Sequence, residues 1–173
     1  MKSTPLFLIV MLFACDGGGT APPAKVGSAQ QGPDEALIDE NKRLAKREAL
    51  DIDAWIARNG LRMEDTGTGV RIMLIEDSIG PYAAPLQTAS IDFSVSLIDG
   101  TVCYASAPGE PEDFVIEKDN VESGLHEAIQ RMSVGDSAVI VIPSHRAYGL
   151  AGDSKKIPMR STVIYRVRLR GLR

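Results

Sequence analysis

Reactive side chains are scarce in this chain of 173 residues, which carries two histidines and two cysteines. His126 and His145 lack partners at the spacing a metal site requires, and no acid–base pair stands out. No cofactor is implied. Cys15 follows an apolar run and Cys103 lies deep in the body, so a disulfide between them has little appeal. What remains is aromatic: Phe93, Tyr148 and Tyr165. Taken singly, each reads as plain core packing.

Composition narrows the classes. The length fits one domain with extensions, or one domain and a small helical appendage. With 44% hydrophobic and 24% charged residues, the chain is built for a globular body with a respectable core. A formal net charge of -4 gives no electrostatic case for nucleic acid. Arg166, Arg168, Arg170 and Arg173 alternate near the end, the pattern of the wet side of an outer strand.

The first residues read as an address. Lys2 supplies a positive start, and the apolar run from Leu6 to Phe13 is too short for a membrane-spanning helix, which needs about 20 residues. Leu12-Phe13-Ala14-Cys15 resembles a bacterial lipobox. Residues 1–14 are then a lipoprotein signal peptide, and Cys15 becomes the lipidated first residue. One acyl chain holds weakly; two or three anchor stably, at about 0.8 kcal/mol per buried methylene. The implied location is the bacterial cell envelope, lipid-anchored at the outer membrane or facing the periplasm. Residues 15–33 carry Gly, Ala, Pro, Ser and Gln with hardly a large apolar group, and are expected to form a flexible tether.

Residues 34–60 read as a helix. Asp34 and Glu35 suit its positive end, Ala45, Ala49, Ile52 and Ile56 make one apolar stripe, and Asn59-Gly60 is a stop. Packing of that stripe and Trp55 on the body is the expectation; a homodimer through the helix is the alternative. Residues 61–173 then change to strand patterns. Val70, Ile72 and Leu74 alternate, as do Ile91, Phe93, Val95 and Leu97; Asp99-Gly100 is a hairpin turn. Phe114 and Ile116 mark another strand. Residues 121–132 read as one short helix with Val121, Leu125, Ile129 and Met132 on a shared face. The apolar run 139–142 and the alternation of Val163, Tyr165, Val167 and Leu169 supply two more strands. The sum is an α+β fold, a helix on one face of an antiparallel sheet.

In order and spacing, several fragments resemble the FKBP-type peptidyl-prolyl cis-trans isomerases. They are Leu97-Ile98-Asp99-Gly100-Thr101, Phe114-Val115-Ile116, Val121-Glu122-Ser123-Gly124-Leu125, Met132-Ser133-Val134-Gly135-Asp136, Ile142-Pro143, Ala147-Tyr148-Gly149 and Ile157-Pro158. Pro143-Ser144-His145 and the leader resemble the lipid-anchored bacterial branch, which includes gliding-motility-associated members. The resemblance implies a twisted sheet of five or six antiparallel strands curling around the short helix. A pocket lies between them, with Phe93, Tyr104, Phe114, Val121, Leu125, Tyr148, Ile157 and Tyr165 on or beside it. Leu125 is implied as the floor. Tyr148 would offer its hydroxyl, and Glu122 its backbone N–H, to substrate carbonyls. The implied partners are proline-containing proteins or peptides, and the implied role is to assist folding.

Departures from the family pattern concentrate at one turn. Cys103-Tyr104 stands where many members have Phe-Asp, and Glu122 replaces an aliphatic side chain. Cys103 is expected to be a small buried apolar residue. Tyr104 is expected to fill part of the pocket and lower turnover, so that Tyr104→Asp would raise it. A weakly active or inactive chaperone or assembly module that grips proline-containing segments is the alternative function.

Overall fold

A computed structural model describes residues 33–173. Cys15, the signal peptide and residues 15–32 of the tether lie outside the described residues.

Helix α1 covers Pro33–Arg58, with Asp34 and Glu35 in its first turn and Arg58 in its last, each complementing the helix dipole. Gly60, at φ 63°, ends it: the Leu61 N–H reaches Ile56 O and the Gly60 N–H reaches Ala57 O. That pair of bonds is a Schellman stop, which a left-handed glycine permits.

The strands that follow are β1 (Glu64–Asp65), β2 (Arg71–Glu76), β3 (Thr88–Leu97), β4 (Val102–Ala105), β5 (Glu112–Val115), β6 (Ser137–Ile142) and β7 (Val163–Leu172). They form one sheet in the order β1-β2-β6-β7-β3-β4, with β5 on the outer edge of β3 beside β4. Every pairing is antiparallel. The resemblance implied five or six strands; the sheet has seven because β1 is a two-residue pair and the β3 edge is shared by two short strands.

Helix α2 covers Ser123–Ile129 and lies on one face of the sheet, where Leu125, Ala128 and Ile129 join Val70, Ile72, Val95, Ile140, Tyr165 and Leu169 in the main core. It is shorter than the twelve residues the apolar stripe suggested. Glu122 stays extended (φ −60°, ψ 134°), and the chain after Gln130 tightens into turns that still bury Met132. Gly124 is the point of closest approach: a Cβ there would stand 2.4 Å from Ile142 Cγ2.

The opposite face of the sheet is covered by the last turns of α1. Ile52 is buried against Val139, Val141 and Ile164, with Trp55, Ile56 and Met73 around them. Residues of β6 therefore alternate between two cores, Ala138, Ile140 and Ile142 toward α2 and Val139 and Val141 toward α1. Full burial of one such aliphatic side chain stabilises by about 1.5–3 kcal/mol. Ala45 of the expected stripe is exposed, and Leu37, Ile38, Leu44 and Leu50 on the earlier turns are exposed too. Beyond the cover of α1, the arginines of β7 turn outward: Arg168 pairs with Glu76 at 3.1 Å and Arg170 with Asp92 at 2.8 Å. No described helix is long and apolar enough to cross a membrane.

Candidate functional site

Between α2 and the concave face of the sheet lies a cavity of about 450 Å³. Register explains which side chains meet there. On β3, Ile91, Phe93 and Val95 project to one face, and Val95 stands opposite Tyr165 of β7. The Phe93 and Tyr165 rings lie 6.1 Å apart at a tilt of 35°. Phe114 enters from β5 and meets the His126 imidazole edge-on at 5.5 Å. Val121, Glu122 and Leu125 border the cavity from α2 and its approach, and Tyr148 from the loop after β6.

His126 is a brace. Its Nδ1 accepts the Glu117 N–H at 3.0 Å, and its Nε2 lies 3.0 Å from Asp119 O, so both ring nitrogens fix the turn that precedes α2. Among the described residues no group of three or more His, Cys, Asp or Glu is placed to hold a metal ion.

Burial raises the Tyr148 hydroxyl pKa, and the nearby Glu122 carboxylate raises it further. Burial does the same at Tyr165, again with Glu122 and Tyr148 beside it. Both phenols stay protonated donors throughout the physiological range. At Glu122 no acceptor among the described residues takes the backbone N–H, which leaves it available at the cavity edge.

The turn that departs from the family pattern is latched from the other side. The Tyr104 hydroxyl donates to the Asp153 carboxylate. Asp153 Oδ1 also accepts the N–H groups of Lys155 and Ile157, both at 2.8 Å. Lys156 closes the arrangement: its Nζ donates to Cys103 O at 2.8 Å and sits 5.0 Å from the Tyr104 ring centroid. Burial works to raise the Asp153 carboxyl, but the Tyr104 hydroxyl and the backbone N–H donors outweigh it and hold the pKa at about 2. A depressed pKa stabilises above the ordinary carboxyl value, about 4. The latch is therefore held above that value and lost only as pH falls on toward 2.

Eight of the ten candidate site residues border the cavity: Phe93, Tyr104, Phe114, Val121, Glu122, Leu125, Tyr148 and Tyr165. Ile157 and Cys103 do not. Ile157 is buried in the main core, and its N–H serves Asp153. Cys103 is also in the core, its thiol 3.6 Å from Lys156 O, and burial raises its pKa above the ordinary thiol value. Tyr104 lines the wall with its hydroxyl bonded to Asp153, which borders the same cavity. Replacing it by aspartate would set two carboxylates against each other. Tyr104→Asp should therefore loosen the loop and lower turnover in a proline-limited refolding assay. A variant faster than the wild type would contradict this and favour the plugged-pocket expectation.

Sequence reasoning missed Asp153, along with the rim residues Glu112, Asp113, Asn120 and Lys155. One signal for Asp153 was present: Gly152-Asp153-Ser154-Lys155 has the form of a turn in which aspartate caps the N–H two residues on.

A sequence model of the family described as FKBP-type peptidyl-prolyl cis-trans isomerase matches residues 80–170. The 22 kDa FKBP-type peptidyl-prolyl cis-trans isomerase of Escherichia coli K12 is 33% identical over 108 residues, covering 62% of this chain and 52% of that protein. The outer membrane protein MIP of Legionella longbeachae is 27% identical over 103 residues, covering 59% of this chain and 43% of its own. The crystal structure of FkpA from Escherichia coli superposes with a TM-score of 0.65 at 27% identity, over 81% of this chain and 65% of FkpA. The chain spans about half the length of the curated relatives it matches. With the family model matching more than half the chain, and with the cavity held between the short helix and the curved sheet, the chain belongs to the FKBP-type peptidyl-prolyl cis-trans isomerase family.

Proposed function

We propose that the protein catalyses cis–trans isomerisation of Xaa-Pro bonds in protein substrates, using the cavity between α2 and the sheet. The single observation that carries this reading is the convergence of Phe93, Phe114, Leu125, Tyr148 and Tyr165 on one open cup. Rotation about the prolyl amide faces a barrier of about 20 kcal/mol because the planar amide is conjugated. No group needs to be attacked or protonated. The twisted amide has lost conjugation and charge separation, so its carbonyl requires less solvation than the planar form. An aromatic cup therefore binds the twisted state in preference to the ground state, and each 1.4 kcal/mol of that preference gives about tenfold in rate. Tyr148 as a permanent donor and the free Glu122 N–H would orient the carbonyls on either side of the bond.

Refolding of a protein limited by one cis-proline tests this. Wild-type protein should accelerate the slow phase, which takes tens to hundreds of seconds unaided. Tyr148→Phe, which keeps the ring and removes the donor, should lose about tenfold, the value of one neutral hydrogen bond. Because both phenols are raised above their ordinary pKa, the rate should stay level from neutral pH to about 9. A slow phase unchanged by the wild type would remove the enzymatic reading and leave a proline-binding chaperone or assembly module.

The same proposal places the protein in the bacterial cell envelope as a lipid-anchored member of its branch. The lipobox-like Leu12-Phe13-Ala14-Cys15 and the similarity to MIP, an outer membrane protein, support it. Cys15→Ser should move the protein from the membrane to the soluble fraction; equal partition of both forms would count against the anchor. Exposed Leu37, Ile38, Leu44 and Leu50 on α1 favour a homodimer through that helix, and a monomeric mass by light scattering would refute it.

A further inference from the structure

The cup carries an acidic group that an apolar pocket does not require. Glu122 stands half-buried at the approach to α2, with extended backbone, and borders the cavity. Its carboxylate faces the hydroxyls of Tyr148 and Tyr165. No lysine or arginine among the described residues pairs with it.

Its surroundings deepen the imbalance. Four carboxylates border the cavity, those of Glu112, Asp113, Glu122 and Asp153, against the ammonium of Lys155 on its rim and that of Lys156 over the Tyr104 ring. Arg173 compensates Asp113, and the Tyr104 hydroxyl and backbone N–H groups occupy Asp153. Glu112, Glu122 and Asp153 make no ion pair among the described residues. An uncompensated charge held against the protein wall acts more strongly than the same charge in open solvent. It also repels an anionic ligand as firmly as it attracts a cationic one.

We propose that Glu122 makes this site selective for proline-containing segments that carry lysine or arginine next to the proline, and against those with aspartate or glutamate there. The inference rests on the cavity being the prolyl-binding site. The selection enters through binding, whatever the turnover.

Three fluorescent peptides that differ only in the residue before proline, Lys, Leu or Glu, test it by anisotropy. NMR exchange on the same peptides reads isomerisation separately. Lys-Pro should bind about tenfold more tightly than Glu-Pro at low ionic strength, with Leu-Pro between them and the gap narrowing as salt is added. In Glu122→Gln, an isosteric change, the gap should shrink to about twofold. Equal affinities in the wild type, a reversed order, or a gap that survives Glu122→Gln would overturn the assignment. Peptides that bind in the expected order without being isomerised would uphold the charge selection and refute the enzymatic reading. Failure of every peptide to bind would refute both.

Discussion

Glu48→Ala should lower the stability of the protein by about 3 kcal/mol, although Glu48 lies on α1, none of whose residues borders the cavity. Glu48 Oε1 accepts the Ser144 N–H and the Thr162 hydroxyl, both at 2.7 Å, and Oε2 accepts the Ser144 hydroxyl at 2.8 Å. Ser144 and Thr162 are themselves buried, so losing the carboxylate strands donors that water reaches poorly. Hydrogen bonds to a charged acceptor contribute about 1.5–3 kcal/mol each, and re-hydration of the two hydroxyls recovers part of the loss. For a chain of this size the melting temperature should drop by roughly 10 °C. The turn anchored at Ser144–Arg146 runs directly into Tyr148, so isomerisation should fall together with stability. Glu48→Gln keeps one carbonyl oxygen for the two Oε1 donors and offers an N–H to Ser144 Oγ, so it should cost less than about 1 kcal/mol. Equal melting temperatures for the Ala and Gln variants would show that the carboxylate does not hold the turn.

The largest loss of activity is expected from Gly152→Ala. Gly152 sits at φ 70°, where a Cβ would come within 2.3 Å of Ile157 O and 2.8 Å of the Pro158 carbonyl carbon. Both obstacles are backbone, so no side-chain rotation relieves the clash. The left-handed conformation adds about 1–2 kcal/mol for an L-residue. The chain must open between Gly152 and Pro158, which takes Asp153 away from Tyr104 and from the N–H groups of Lys155 and Ile157. That segment forms one wall of the cup beside Tyr148. A displacement of about 1 Å in such a wall can cost 100-fold in rate, and kcat/KM should fall by about that much. Gly149→Ala is the matched control. It too has a positive φ, 66°, but its Cβ would meet nothing within 4 Å, so it should lose only the conformational term. Similar activities for the two variants would mean that the close approach at Gly152 does not shape the site.

These two residues also mark where the sequence stops being legible. The alternation on β3 and β7 exposed the concave face directly, because one side of each strand is apolar and the other wet or paired. The unbroken apolar run of β6 was legible as a buried strand, and the reason for it was already in the sequence: α1 covers its second face with Ile52, Trp55 and Ile56. Glu48 gave no signal, since its partners lie 96 and 114 residues away and an exposed-looking glutamate on a helix is unremarkable. The loop around Asp153 was opaque for a similar reason: its geometry depends on Tyr104, 49 residues earlier. Tyr104 lies on the cavity wall, but its hydroxyl bond is made to a partner the local pattern did not reveal. The two-residue β1 has no periodicity to detect. The expected length of α2 failed because an apolar stripe continues through turns as readily as through helix, and Met132 is buried either way.

A prolyl amide should turn inside the cup formed by Phe93, Phe114, Leu125, Tyr148 and Tyr165. Exchange NMR on a short Lys-Pro peptide with a catalytic amount of protein reads this without a coupled assay, while backbone amide shifts show where the peptide sits. Cis and trans signals should exchange within a second or so, against tens to hundreds of seconds unaided. The shifts should cluster at Tyr148, Glu122 and the facing residues of β3 and β7. An unchanged exchange rate with the peptide bound, or shifts gathered on another surface, would contradict the account.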